Sequence, residues 1–95
     1  MDREQLLLAK LAEECIEVGK LALKSQLFGL TEHQFLDGPS NAERLHAELN
    51  HLIAAIEMLN EECNLAFIEN YEAKLSKKEK VNHYAEYSKI LGRLQ

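Results

Sequence analysis

Residues 10–20 read Lys-Leu-Ala-Glu-Glu-Cys-Ile-Glu-Val-Gly-Lys, and they lie inside an amphipathic run from about Asp2 to Leu27. At about 100° per residue, the apolar side chains of this run share one narrow helical stripe, made of Leu7, Leu11, Val18 and Leu21. Glu14 occupies the next position of the same stripe. A carboxylate that faces a core must be paired, neutralised or bound to a cation. The stretch therefore predicts a long helix with an inward-facing acidic site.

Two further helices are predicted downstream. Ser40-Asn-Ala-Glu43 has the form of a capping box, so a second helix should begin near Asn41. The apolar residues of this helix keep an unbroken four-three spacing through Leu45, Leu49, Leu52, Ile56 and Leu59. A last helix is expected from about Glu72 to Leu91, and no strand pattern competes with the helical ones. The fold class is therefore predicted to be all-α, with three to four helices per chain.

The length and the apolar stripes together predict an oligomer. Ninety-five residues form one domain, residues 1–95, with 46% hydrophobic residues, and a lone domain of this size buries only about 60–65% of its unfolded surface. Helix one is also apolar outside its main stripe, at Leu6, Leu8, Ile16, Ala22 and Leu23. We therefore expect a helical bundle that dimerisation completes, as a homodimer or homotetramer. A monomeric three-helix bundle is the alternative.

Charge and composition exclude several classes of function. The formal charge of −5 and the lack of a basic stripe argue against nucleic-acid binding. The chain opens with charged residues and contains no apolar run that could span a bilayer, so neither a signal peptide nor a membrane anchor is expected. Cys15 and Cys63 lack metal-finger spacing, and we expect buried free thiols and a cytoplasmic location.

Acidic and imidazole side chains recur at helical spacing on the first two helices. Glu14 with Glu17, and Glu48 with His51, each form an i,i+3 pair that projects from one helical face. Two such helices packed antiparallel would bring four ligands to one pocket. Oxygen-rich pockets suit Mg²⁺ or Mn²⁺ that also hold phosphate oxygens. The spacing thus indicates a candidate site for a divalent cation.

The order of these motifs resembles a known family. Glu13-Glu14-Cys-Ile-Glu17, followed after a loop by Glu48-Leu-Asn-His51, is similar to the EExxE…ExxD signature of MazG-like all-α nucleoside triphosphate pyrophosphohydrolases. Residues 41–59 resemble the second helix of the small phage and integron members, and residues 77–92 resemble their last helix. The resemblance implies an enzyme, a cytoplasmic house-cleaning hydrolase that cleaves a ribo- or deoxyribonucleoside triphosphate to the monophosphate and pyrophosphate.

The same resemblance implies roles for individual residues. The Mg²⁺ ligands would be Glu14, Glu17 and Glu48, with His51 at the fourth position and Mn²⁺ as an alternative ion. Glu13 would help to orient the attacking water. The substrate-binding residues would be Lys77, Lys80 and Tyr84, with Asn41 and Arg44 as weaker candidates for the nucleotide pocket.

His51 departs from the family pattern, which has aspartate there. A neutral imidazole offers nitrogen, whereas Mg²⁺ prefers oxygen ligands. Three outcomes are open: three glutamates and water hold the metal, the site prefers Mn²⁺ or another nitrogen-tolerant ion, or activity is lost and the chain is a helical binding module. A more remote alternative is a di-iron carboxylate bundle, because Glu43-x-x-His46 and Glu48-x-x-His51 both match its Glu-x-x-His element.

Overall fold

The computed structural model describes all 95 residues and contains three α-helices. Helix α1 spans Arg3–Phe28, α2 spans Asn41–Cys63 and α3 spans Tyr71–Ile90. The only β-type pairing is an isolated bridge between His33 and Ser40. The predicted all-α class is confirmed.

Capping boxes fix the starts of α1 and α2, and the box at the start of α2 is the one predicted from Ser40 and Glu43. The Asp2 carboxylate accepts a hydrogen bond from the backbone N–H of Gln5 at 2.8 Å, and the Asp2 N–H donates to the Gln5 side chain at the same distance. Ser40 and Glu43 make the corresponding pair of bonds, both 3.1 Å long. Each box satisfies two of the backbone N–H groups that a helix start leaves free.

Helices α1 and α2 form an antiparallel hairpin that contains the core. The predicted stripes meet there in part: Leu7 and Leu21 of α1 and Leu59 of α2 are buried. Leu49 of the predicted α2 stripe is 39% exposed, and Ala55, which the stripe did not include, is buried instead. The backbone of Gly29, with φ at 94°, ends α1, since only glycine adopts this conformation without a steric penalty. The hairpin is the frame that carries the candidate site.

Helix α3 lies apart from this hairpin. The chain leaves α2 through left-handed residues at Asn64 and Ala66, and α3 makes no packing contact with either other helix. Ser88 is its one buried residue, while Val81, Tyr84 and Leu91, which lie on the same helical face, are exposed. The radius of gyration is 17.0 Å, against about 12 Å for a compact chain of this length. A single chain therefore does not close the predicted bundle.

Candidate functional site

Two carboxylates and one imidazole meet where α1 and α2 pack together. Each of Glu14, Glu48 and His51 offers a ligand atom, and these atoms lie within 4.8 Å of one another. The His51 Nδ1 atom lies 3.4 Å from Glu48 Oε2 and 3.7 Å from Glu14 Oε2. We refer to these three residues as the acidic cluster.

The antiparallel register places these side chains opposite one another. At the open end of the hairpin Arg3 contacts Glu62, and eleven residues further along α1, Glu14 faces His51. Positions that face each other therefore have rising numbers along α1 and falling numbers along α2, as expected for antiparallel helices. Because Glu14 continues the apolar stripe of α1, it turns towards α2, and its side chain and that of Glu48 are each only 23% exposed. His51, at the outer edge, is 60% exposed.

The electrostatics of the cluster favour protonation of one carboxyl group. The pKa of Glu14 is raised above its ordinary value of 4.5, first because its carboxyl group hydrogen bonds to that of Glu48. Partial burial and the negative charge of Glu48 raise it further, whereas His51 acts in the opposite direction. No lysine or arginine lies within 4 Å of either carboxylate. The cluster thus contains negative charge that the chain itself does not neutralise with a permanent cation.

The spacing of the ligand atoms suits a small divalent ion. A cation about 2.1 Å from each ligand atom holds those atoms roughly 3–3.5 Å apart. The distances from His51 to the two carboxylates, 3.4 and 3.7 Å, are close to this range. Two oxygens and one imidazole nitrogen form a donor set accepted by Mn²⁺, Zn²⁺ and Fe²⁺ more readily than by Mg²⁺.

The remaining predicted acidic residues flank the cluster. Glu17 is exposed and pairs with Lys20 at 3.4 Å, while its side chain borders the same surface depression as Glu48. Glu13 is exposed on the outer side of α1 and pairs with Lys10 at 3.2 Å. Of the four predicted metal ligands, the structure brings three together and leaves Glu17 beside them.

The surface depression next to the cluster contains Arg44, a predicted substrate-binding residue, and two lysines, Lys20 and Lys24, that were not predicted to bind substrate. It has a volume of about 290 Å³. Its walls include Glu17, Lys20, Leu21, Lys24, Arg44 and Glu48. Lys20 and Lys24 follow Glu17 at helical spacing on the same side of α1, and this signal could have identified them. Arg44 also donates to the side chain of Gln34 at 2.7 Å.

The predicted substrate-binding residues of α3 lie elsewhere in the single chain. Lys77 borders a groove of about 900 Å³ between α2 and α3. Lys80 and Tyr84 border a shallower surface formed by α3 alone. None of the three borders the depression beside the acidic cluster. Their role in binding phosphate stays a prediction, and it requires α3 of another copy to approach the cluster.

Asn41 has a structural position at the start of α2. Its side chain is fully buried and donates to the backbone oxygen of Gly29 at 2.9 Å and to Glu32 at 3.1 Å. These bonds hold the loop between α1 and α2 against the end of α1. The Asn41 Oδ1 atom has no hydrogen-bond partner in the chain.

The structure also bears on the cysteines and on the di-iron alternative. Both thiols are free, but Cys15 is exposed and Cys63 is only half-buried, so the prediction of two buried thiols is wrong. Cys15 follows Glu14 and therefore lies about 100° away from the inward stripe. Glu43 and His46 do not join the acidic cluster, which is the one group of this kind in the structure.

Comparison with protein-family models, with curated proteins and with solved structures finds no match to this chain. None of the three helices combines the length and the hydropathy needed to cross a membrane.

Proposed function

We propose that this protein is a divalent-cation-dependent nucleoside triphosphate pyrophosphohydrolase. The observation that supports it most directly is the acidic cluster, in which Glu14, Glu48 and His51 converge from two helices without a lysine or arginine partner. The motif order Glu13-Glu14-x-x-Glu17…Glu48-x-x-His51 resembles that of MazG-like enzymes and suggests the reaction.

In the proposed reaction, water attacks the α-phosphorus of a nucleoside triphosphate. The bond from that phosphorus to the bridging oxygen breaks, pyrophosphate leaves with the electron pair, and a carboxylate accepts the proton of the water. Glu14, Glu48 and His51 would hold the cation, which supplies neutralisation of phosphate charge and a lowered pKa for water. Glu17 borders the same depression as Glu48, so it is placed to complete the ligand set or to accept the proton. Glu13 would have to leave its ion pair with Lys10 to orient water.

The imidazole of His51 determines which cation we expect the site to prefer. Its imidazole offers nitrogen where the family pattern has an aspartate oxygen, so we propose that Mn²⁺ supports the reaction better than Mg²⁺. The product chemistry suits removal of unwanted nucleotides from the cytoplasmic pool, which is the house-cleaning role that the resemblance implies.

The proposed enzyme is a homodimer or a dimer of dimers. The chain exposes 7830 Å², whereas a compact monomer of this mass exposes about 5,600 Å². The difference, roughly 2,200 Å² per chain, is the size that obligate interfaces remove from each partner. Apolar side chains on α3 account for part of it, with Tyr84 70% and Ile90 81% exposed. Sedimentation equilibrium should therefore give a mass of at least two chains, and a monomer at micromolar concentration would contradict this arrangement.

A pyrophosphate-release assay tests the proposed activity. The parent protein is incubated with the common and the damaged ribo- and deoxyribonucleoside triphosphates, first with Mg²⁺ and then with Mn²⁺. We expect release of pyrophosphate that is faster with Mn²⁺, and its loss in Glu17→Gln. Glu61→Gln is the matched control, because Glu61 is exposed on α2 and has no ion pair, so its activity should equal that of the parent. Absence of pyrophosphate release with either cation would favour the helical binding module instead.

A further inference from the structure

The depression between α1 and α2 contains the two half-buried basic side chains of the protein. Eleven residues are lysine or arginine, and nine of them are exposed. The other two, Lys24 and Arg44, both border this depression. The two come from different helices and are brought together by the antiparallel packing.

Neither of these side chains has an anionic partner in the chain. No carboxylate lies within 4 Å of Lys24 or Arg44, although Lys10, Lys20 and Lys89 each pair with a glutamate on the exposed surface. A partly desolvated cation is stabilised by an opposite charge. Glu17 and Glu48 also border the depression, but neither forms an ion pair with Lys24 or Arg44. The arrangement is therefore that of a site prepared for an anion supplied from outside the chain.

The depression is continuous with the acidic cluster. Glu48 belongs to both, and Glu17 also borders the depression. From Glu17 to Lys24 is about 10.5 Å along the axis of α1. Side chains on a helix lean towards its N-terminus, which directs Lys24 back towards Glu17 and the cluster. A ligand that spans the two regions must ligate a cation at one end and present negative charge at the other.

We propose that Lys24 and Arg44, with Lys20 at the rim, bind the terminal phosphates of a polyphosphate chain whose other end meets the cation held by the acidic cluster. This inference rests on the proposed function for the nucleotide, but its anion site is independent of hydrolysis. The volume of about 290 Å³ lies just below that of pockets that hold whole drug-sized ligands. It suits phosphate groups, with the nucleoside lying outside it.

Arg44 has the geometry for this role. One guanidinium nitrogen donates to Gln34 at 2.7 Å, which restrains the side chain. The remaining N–H groups form the planar fork that binds phosphate oxygens in pairs. Lys24 contributes a point charge from the opposite helix. These two residues would therefore stabilise the leaving pyrophosphate without contacting the α-phosphorus.

The test measures binding of inorganic triphosphate, which carries no nucleoside, by titration calorimetry in the presence of Mn²⁺. Lys24→Gln and Arg44→Gln should each weaken binding about tenfold, as loss of a charge-assisted contact predicts. Lys89→Gln is the matched control, because it makes the same charge change at an exposed position on α3, and it should bind as the parent does. Lys24→Arg should retain binding, and circular dichroism melting identifies any variant that fails to fold.

The outcomes separate the anion site from the enzyme activity. If triphosphate binds the parent and both glutamine variants equally, or if Lys89→Gln weakens binding as much as they do, the anion site is wrong. It is also wrong if the parent does not bind triphosphate. Weakened binding in Lys24→Gln and Arg44→Gln supports the site even if the parent releases no pyrophosphate, in which case only the proposed activity fails. Hydrolysis with an unchanged KM in both variants leaves the activity standing and overturns the site.

Discussion

Charged side chains meet across the α1–α2 interface in two places, and the two groups are built differently. At the open end of the hairpin, the Arg3 guanidinium donates two hydrogen bonds to the Glu62 carboxylate, at 2.8 and 3.1 Å. In the middle, Glu14 and Glu48 face each other with only His51 beside them. In the first group a positive charge balances the negative one. The second contains two carboxylates and an imidazole, and it has no side chain that is always positively charged.

The pKa shifts of the two groups run in opposite directions. Arg3 lowers the pKa of Glu62, whereas the Glu48 carboxyl group raises the pKa of Glu14. The Arg3–Glu62 pair therefore stabilises the folded chain at neutral pH, and the acidic cluster destabilises it there. The contrast between this repulsive cluster and the paired Arg3–Glu62 group on the same two helices supports the proposal that the cluster binds a cation.

The largest expected effect comes from Glu14→Gln. A carboxyl group with a raised pKa favours the folded state at acid pH, and this contribution is lost as the pH rises through that pKa. At neutral pH the parent without metal therefore carries the Glu14–Glu48 repulsion, and the neutral amide should raise its melting temperature. The same change removes a ligand, so Mn²⁺ should no longer stabilise the variant and activity should fall at least about 100-fold. Melting curves with and without Mn²⁺ measure both effects.

Glu62→Gln is the control for this comparison, because it removes a carboxylate that is already paired, with Arg3. It should lower the melting temperature at neutral pH and leave the stabilisation by Mn²⁺ unchanged. An Mn²⁺ shift that survives in Glu14→Gln at its full size would show that the acidic cluster is not the cation site.

An intermediate effect is expected from His51→Asp. The substitution adds an oxygen ligand and a third negative charge, so the variant should bind Mg²⁺ more tightly, by about tenfold, and turn over faster with it. Without metal the extra repulsion should lower its melting temperature. Titration with Mg²⁺ and Mn²⁺, read by melting temperature and by pyrophosphate release, measures the change in preference.

His83→Asp provides the matched control, since His83 is exposed on α3 and lies outside the cluster. In this variant, Mg²⁺ and Mn²⁺ should change the melting temperature and the rate of pyrophosphate release as they do in the parent. Equal stabilisation of the parent and His51→Asp by Mg²⁺ would mean that position 51 does not contact the cation.

The sequence was sufficient to predict the hairpin and most of the acidic cluster. Four-three spacing and two capping boxes determine where α1 and α2 begin and which faces they bury, and Glu14 follows from its place on the stripe of Leu7 and Leu21. The convergence of Glu14 with Glu48 and His51 then needs only antiparallel packing. These features depend on local periodicity, which a single sequence contains.

Other features depend on register and on partners, which the sequence does not specify. Lys24 and Arg44 border one depression only when α1 and α2 pack with one particular offset. Glu17 lies about 60° off the line of Glu14, and its contact with Lys20 turns it along the surface of α1. Helix α3 packs against neither α1 nor α2, so an approach of Lys77 and Lys80 to the cluster depends on another copy.

The smallest expected effect concerns the Arg3–Glu62 ion pair. The pKa of Glu62 lies below its ordinary value of 4.5 because Arg3 hydrogen bonds to the charged form. A lowered pKa gives stability that is present above the ordinary value and is lost as the pH falls through the lowered one. Arg3→Gln should therefore reduce stability only slightly at neutral pH, because both side chains are partly exposed to solvent. The reduction should shrink as the pH falls below 4.5 and also in high salt, which screens exposed charges.

Urea unfolding midpoints of the parent and Arg3→Gln across this range of pH and salt give the difference in stability directly. A difference that is constant with pH and salt would mean that Arg3 acts through packing of its aliphatic stem, and the Arg3–Glu62 pair would then no longer serve as the neutralised counterpart of the acidic cluster.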